Sequence, residues 1–275
     1  MNHTTSTQPL AVSRLQDGMQ NNFSGELINT CAIYQNQHSP EKNDLLAALP
    51  KDELAELLPH LELLDMSTDE ELYEFGRPLN HVYFPITAII SLLYVMEDGA
   101  TTELAVIGHE GMLGITLIFG DSLLGTPVVQ NAGFCYRLKL SKLKEIFNRG
   151  GELQSLLMRY TQARLAHMAQ SAVCGHHYSI DQKLSRWILD RLDRLPSNIL
   201  KTTQELIASM LGVRRESVTE AVGKLQDEGI IQCTRGKITV LDRLGLESLA
   251  GECYKVAKNE YDHLFLKDSR KMVPN

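Results

Sequence analysis

Residues 202 to 240 read TTQELIASMLGVRRESVTEAVGKLQDEGIIQCTRGKITV, and the rest of the chain is best interpreted outward from them. Thr202-Thr203-Gln204-Glu205 opens a helix, Ala208 stands four residues before Gly212, and Val218, Ala221, Val222 and Leu225 form a second apolar stripe. That pattern is helix, tight turn, helix. Two closely crossing helices need a small residue at their contact, here Ala208, and a corner that takes positive φ, here Gly212. Off the second stripe lie Arg214, Arg215, Glu216, Ser217, Thr219, Glu220 and Lys224. They make a polar face whose N-terminal end is where a recognition helix meets base edges: Arg can fork onto guanine and Glu can accept from cytosine. Ile230 to Thr234, the corner Arg235-Gly236-Lys237, and Ile238 to Val240 then predict a short hairpin, a wing whose two tip cations suit phosphate oxygens. Thr203, at the leading edge of the first helix, completes the candidate DNA contacts.

Charge restricts this contact to one region. The 275 residues carry 27 Lys and Arg against 34 Asp and Glu, a net charge of -7, which excludes a broadly basic protein coating nucleic acid. Between His176 and Arg243, however, eleven cations stand against nine anions. A polar helix face alone is ordinarily just a solvated face; the adjoining wing, the helix upstream and the β-rich first half make DNA binding the favoured reading. Upstream, Leu153, Leu156, Leu157, Tyr160, Leu165, Met168 and Ala172 recur at three and four spacing, so residues 151–175 read as a long helix that pairs with a second copy, packing on its own β domain being the bland alternative. Cys174-Gly175-His176-His177 is expected to interrupt it, and Ser179 with Gln182 to cap the next helix, whose apolar face runs from Ile180 to Leu195.

Earlier still, short apolar stretches alternate with turn signals from Leu61 to Leu140, and Asp98-Gly99 separates Ile89–Met96 from Thr101–Ile107 as a hairpin turn would. This predicts antiparallel strands in a small sandwich or roll within a domain spanning 40–150, flanked by two short helices between Asn43 and Leu58. Residues 1–39 read as a mobile polar tail, 176–250 as the DNA-binding domain, and 251–275 as a C-terminal tail with a solvated helix. The fold class is therefore α+β.

Five scattered cysteines, Cys31, Cys135, Cys174, Cys233 and Cys253, fit a reducing compartment, and Cys135, Cys233 and Cys253 read as small apolar residues. No signal peptide and no run near 20 apolar residues is found, so a cytoplasmic protein without membrane contact is expected. Motifs of hydrolases, zinc proteases and phosphate loops are missing, so no enzyme is expected. Cys174, His176 and His177, with His167 two turns earlier, are the sole cluster of soft ligands, read as a helix break with solvated imidazoles and no metal.

At this point a resemblance enters. Leu211-Gly212-Val213-Arg214-Arg215-Glu216-Ser217-Val218 with the Arg235-Gly236-Lys237 corner resembles the DNA-binding domain of the Crp/Fnr family of bacterial transcription regulators. Leu72-Tyr73-Glu74-Phe75-Gly76-Arg77-Pro78, His81-Val82-Tyr83-Phe84-Pro85 and Gly108-His109-Glu110-Gly111-Met112-Leu113-Gly114 resemble its jelly-roll, cyclic-nucleotide-binding-like sensor domain. The resemblance implies an N-terminal antiparallel β-roll, a dimerisation helix and a C-terminal winged helix-turn-helix. It further implies a homodimer reading a near-palindromic operator on double-stranded DNA, with RNA polymerase as a partner and Arg215 and Glu216 as base readers. Two departures matter. Glu220 stands where relatives often carry a basic residue, which implies a variant operator. Relatives that bind cyclic nucleotides hold the phosphate with a Gly-Glu turn and an Arg on the next strand; Glu110-Gly111 resembles the turn, but Leu123 to Val129 contains no Arg. Cyclic AMP is therefore not expected, nor an iron-sulfur cluster, since Cys31 is alone in the first 134 residues. No cofactor is expected and the small-molecule effector stays unknown. The rival reading is a ligand-gated protein-interaction module with no specific DNA site.

Overall fold

The computed structural model describes residues 38–72, 80–120 and 122–265. The expected tail up to residue 37 with Cys31, the stretch 73–78 of the first roll motif, and the last ten residues lie outside these.

Alternating apolar positions in the first half form two three-stranded antiparallel sheets. One is ordered β1 (Glu62–Met66), β6 (Gly133–Lys139), β2 (His81–Pro85); the other is β4 (Thr101–Ile107), β3 (Ile89–Val95), β5 (Thr126–Asn131). Gly99, at φ 83°, makes the β3–β4 turn that Asp98-Gly99 predicted. Met66, Ile90, Leu92, Ile107, Leu113, Val129 and Cys135 fill the space between the sheets, so the roll interior is an apolar core. Thr126 and Pro127 begin β5, which pairs with β3 on one side and on the other bridges through Val128 to Glu71; the first residues of a strand tolerate a proline.

Around the roll pack α1 (Asp44–Ala47), α2 (Lys51–Leu57) and α3 (Leu140–Asn148), the last of which the sequence pattern did not single out. Buried Asn43 ties the first turn of α1 to the roll, donating through Nδ2 to the carbonyls of Pro85 (2.9 Å) and Gly111 (2.8 Å). The long helix α4 (Glu152–His177) follows. It runs straight through Cys174–His177 instead of breaking there, and ends at extended Tyr178. A glycine exposed on a helix surface weakens the helix without terminating it. Next come α5 (Ile180–Leu192), with the Ser179–Gln182 capping box in place, β7 (Ile199–Lys201), α6 (Gln204–Leu211), α7 (Arg215–Asp227) and the hairpin β8 (Ile231–Thr234) and β9 (Lys237–Val240). β7 joins the hairpin in a sheet ordered β7-β9-β8.

The C-terminal helix α8 (Arg243–Leu264) differs from its expectation as a solvated tail. It breaks at Gly251 (φ 69°, ψ −156°) and packs on α4 and α5, burying Leu246, Ala250, Cys253, Tyr254, Ala257 and Leu264. Its sequence period was diluted by charged residues such as the exposed Glu252, Lys255 and Lys258. Cys253 also departs from expectation: its sulfur is disulfide-bonded to that of Cys174, 79 residues away.

Tyr160 on α4 is wholly buried, and its hydroxyl both accepts from the Met112 amide and donates to the Met112 carbonyl, each at 3.1 Å. A Cβ on Gly111 would lie 2.3 Å from that hydroxyl, so glycine permits the approach. Tyr160→Phe leaves two buried backbone groups unpaired, and urea unfolding should show a loss of about 1–3 kcal/mol.

Candidate nucleic-acid interface

The two helices of the motif are set by local chemistry. Thr203 caps α6, its Oγ1 accepting from the Leu206 amide at 3.1 Å, so this side chain is committed to the helix start as well as exposed. Gly212 turns the corner at φ 63°. Ile207, Ala208 and Met210 from α6 and Val218, Ala221, Val222 and Leu225 from α7 are buried together with Leu184, Ile188 and Ile238 in one core.

Because those residues point inward, the remainder of α7 points out. Arg214, Arg215, Glu216, Thr219, Glu220 and Lys224 are exposed, and Ser217 is half-buried. Arg215 sits 3.7 Å from Glu205, both largely in solvent, a pairing weak enough for the guanidinium to leave. Thr219 donates to Gln204 at 2.9 Å, and Lys224 meets Asp181 at 3.0 Å. Arg235 and Lys237 flank Gly236 (φ 74°) at the exposed wing tip. The ten residues singled out from the sequence thus lie on one winged helix-turn-helix. The cluster of Cys174, His167, His176 and His177 is not assembled: His167 and Cys174 are buried, whereas His176 and His177 are exposed.

What the sequence did not reveal is how this unit attaches to the roll. Arg191 and Arg194, at the end of α5, are buried beside carboxylates from the roll: Arg191 Nη2 to Glu103 Oε1 at 2.6 Å, and Arg194 Nε and Nη2 to Glu110 Oε1 at 2.8 Å. Arg191 also lies 3.6 Å over the Trp187 ring. Glu110 further accepts from the Gly108 amide, at 3.1 and 3.3 Å. Burial alone would raise the Glu110 carboxyl, but the Arg194 charge and hydrogen bond outweigh it and hold the group below its ordinary value. Thr101 on β4 meets Ser209 on α6, and Thr102 packs beside Gly212. Sequence separations of 84 to 110 residues hid every one of these pairs.

On α4 two faces separate. Leu153, Leu156, Leu157, Tyr160, Ala163, Arg164 and His167 are buried against the same chain, while Ser155, Met158, Gln162, Leu165, Ala169, Ala172 and Val173 are exposed, Met158 at 56% and Leu165 at 63%.

Comparison with known proteins agrees with this architecture. Residues 182–249 match the Crp-like helix-turn-helix domain model. The transcriptional regulator SdrP of Thermus thermophilus is 26% identical over 180 residues, which are 63% of this chain and 85% of SdrP. The global nitrogen regulator of a Synechocystis species is 24% identical over 217 residues, 73% of this chain and 93% of that protein. The chain resembles Crp/Fnr regulators in its helix-turn-helix and in its fold. It is a transcriptional regulator with a DNA-binding helix-turn-helix. The fold is shared with FixK2 of Bradyrhizobium japonicum, at a TM-score of 0.61 and 19% identity over 70% of this chain and 98% of FixK2. A CRP/FNR-family regulator from Thermus thermophilus gives 0.57 and 22% over 70% of this chain and 99% of that one. Among the described residues, no helix is long and apolar enough to cross a membrane.

The buried pair has a measurable consequence. Arg194→Met strands the Glu110 carboxylate in a dry site, and urea unfolding at neutral pH should show a loss of about 3–5 kcal/mol. Since the folded-state pKa of Glu110 is depressed, its contribution is full above the ordinary carboxylate range and lost as pH falls through the folded value. The gap between wild type and variant should therefore narrow on acidification; a constant gap would show that the pair carries no such linkage.

Proposed function

We propose that this regulator acts as a homodimer that sets two copies of α7 about 34 Å apart, in successive major grooves of a near-palindromic operator. One observation carries the reading: the polar face of α7 is open to solvent at its N-terminal end while the wing tip presents two further cations beside it. Arg215 and Glu216 read bases, with Arg214, Ser217, Thr219 and Glu220 along the same face. Thr203, Lys224, Arg235 and Lys237 serve the sugar-phosphate backbone.

Pairing through α4 is supported by its exposed residues 155, 158, 162, 165, 169 and 172, a three-four repeat that forms a coiled-coil seam. Ala169 and Ala172 allow close approach toward one end, and Met158 and Leu165 supply apolar area toward the other.

The effector of this regulator is neither cyclic AMP nor an iron-sulfur cluster in our reading. Apolar side chains fill the roll interior, and the one carboxylate of the Gly-Glu-like turn is already engaged by Arg194. No catalytic role is assigned, and RNA polymerase is the partner a promoter-bound dimer would meet in the cytoplasm.

Arg215→Ala should cost about 1–3 kcal/mol on a selected operator and relax one base position, whereas Lys237→Ala should weaken all duplexes alike and lower the salt slope by about one. Fluorescence anisotropy across salt and sequence checks both; equal losses on operator and random DNA for Arg215→Ala would remove direct readout and favour a protein-interaction module. Met158 and Leu165 changed together to Lys should convert the dimer to monomer in sedimentation, with operator affinity falling accordingly.

A further inference from the structure

Cys174 and Cys253 lie at a mechanical junction. Cys174 occupies the last turn of α4, four residues before the extended Tyr178 that separates α4 from α5. Cys253 follows the Gly251 break in α8, and its amide donates to the Tyr178 hydroxyl at 3.2 Å. Leu246, Ala250 and Tyr254 of α8 belong to the same core as α5, α6 and α7, while Leu264 and Tyr261 further along α8 pack with the long helix, so Cys253 sits where the DNA-binding unit meets α4 and a bond to Cys174 ties the two across Tyr178. The Cα atoms are 6.7 Å apart, within the span a disulfide bridges, and the two sulfurs are paired. Arg186 Nη1 stands 3.1 Å from Cys174 Sγ, a cation placed to favour the thiolate.

A protein that works on DNA sits where thiols are kept reduced, so a bond here serves poorly as a permanent framework. We propose that Cys174 and Cys253 form a reversible thiol switch, oxidised by a hydroperoxide, that locks the hinge at Tyr178 and so fixes the DNA-binding unit against the long helix; the effect on DNA rests on the reading given under Proposed function. The Cys174 thiolate attacks one peroxide oxygen, the O–O bond breaks, and hydroxide leaves to be protonated to water, giving a sulfenic acid. The Cys253 sulfur then attacks that sulfur, the S–S bond forms, and the sulfenic oxygen departs as a second water. Two thiols lose two electrons and two protons, and the peroxide gains them. A dithiol reductant of the thioredoxin class reverses the step.

Locking matters because a hinge that samples several orientations binds only through its competent fraction. The arrangement held by the bridge leaves the α7 face open, so oxidation removes orientations that bind poorly and raises affinity.

The test uses the full chain, reduced and then treated with hydrogen peroxide, with iodoacetamide labelling after denaturation. Labelled thiols should fall from the five cysteines to three, with a 174–253 cross-link in peptide mass spectra. Cys253→Ser should instead accumulate a dimedone-reactive sulfenic acid at Cys174. Oxidised wild type should bind the operator about fivefold tighter than reduced, and Cys174→Ser and Cys253→Ser should lose this dependence. Amide exchange over 175–182 should slow on oxidation. An unchanged thiol count, a cross-link elsewhere, or unaltered hinge exchange would overturn the switch. An affinity that stays level or drops on oxidation would overturn the locking effect. If neither redox form binds any duplex, DNA binding itself fails, while labelling and exchange still decide the switch.

Discussion

Everything in this molecule depends on two arginines at the end of α5 being neutralised by carboxylates from the roll. Arg191 with Glu103 and Arg194 with Glu110 are buried ion pairs, and a charge left alone in such a place is far costlier than the pair is favourable. Their value lies in specificity of arrangement: the DNA-binding unit can leave the roll only by exposing or stranding four charges together. Thr101–Ser209 and the packing of Thr102 on Gly212 add a second line of contact along β4. A change anywhere in the roll that shifts the loop carrying Gly108 and Glu110 is therefore felt at the base of the recognition helix. These contacts join the roll to the DNA-binding unit directly.

The long helix carries the complementary constraint. Half of its circumference is consumed by its own chain, with Leu153, Leu157 and Tyr160 in the roll-side core and Arg164 bonded to the Tyr261 hydroxyl at 2.9 Å. The other half stays open in a three-four repeat. The helix ends at the extended Tyr178 from which α5 departs, so its open face, that junction and the arginine pairs all lie on one continuous run of chain.

Much of this was legible in the sequence where the signals are local. The capping box at Ser179, the hairpin at Asp98-Gly99, the turn at Gly212 and the wing at Gly236 each depend on neighbours a few residues apart, and each stands where it was expected. Non-local features escaped. Leu153 and Leu165 look alike in a helical period, yet one faces the roll and the other solvent, because only tertiary packing distinguishes them. Helix α8 looked solvated since its buried face mixes Cys, Tyr and Ala with charged neighbours, and the partner that makes burial worthwhile lies on α4 and α5. The pairing of Cys174 with Cys253 and of Arg194 with Glu110 has no spacing signature at all. The exposed side of α7, by contrast, was readable because a helix keeps its buried stripe and its outer face on consecutive turns.

The central claim is that the outward face of α7 reads base edges in two successive major grooves. Methylation interference on an operator selected from genomic fragments tests it most directly, because guanine N7 lies in the major groove. The account predicts interference at guanines in two symmetric half-sites about one helical turn apart. Interference confined to minor-groove positions, or absent from a tightly bound fragment, would contradict it.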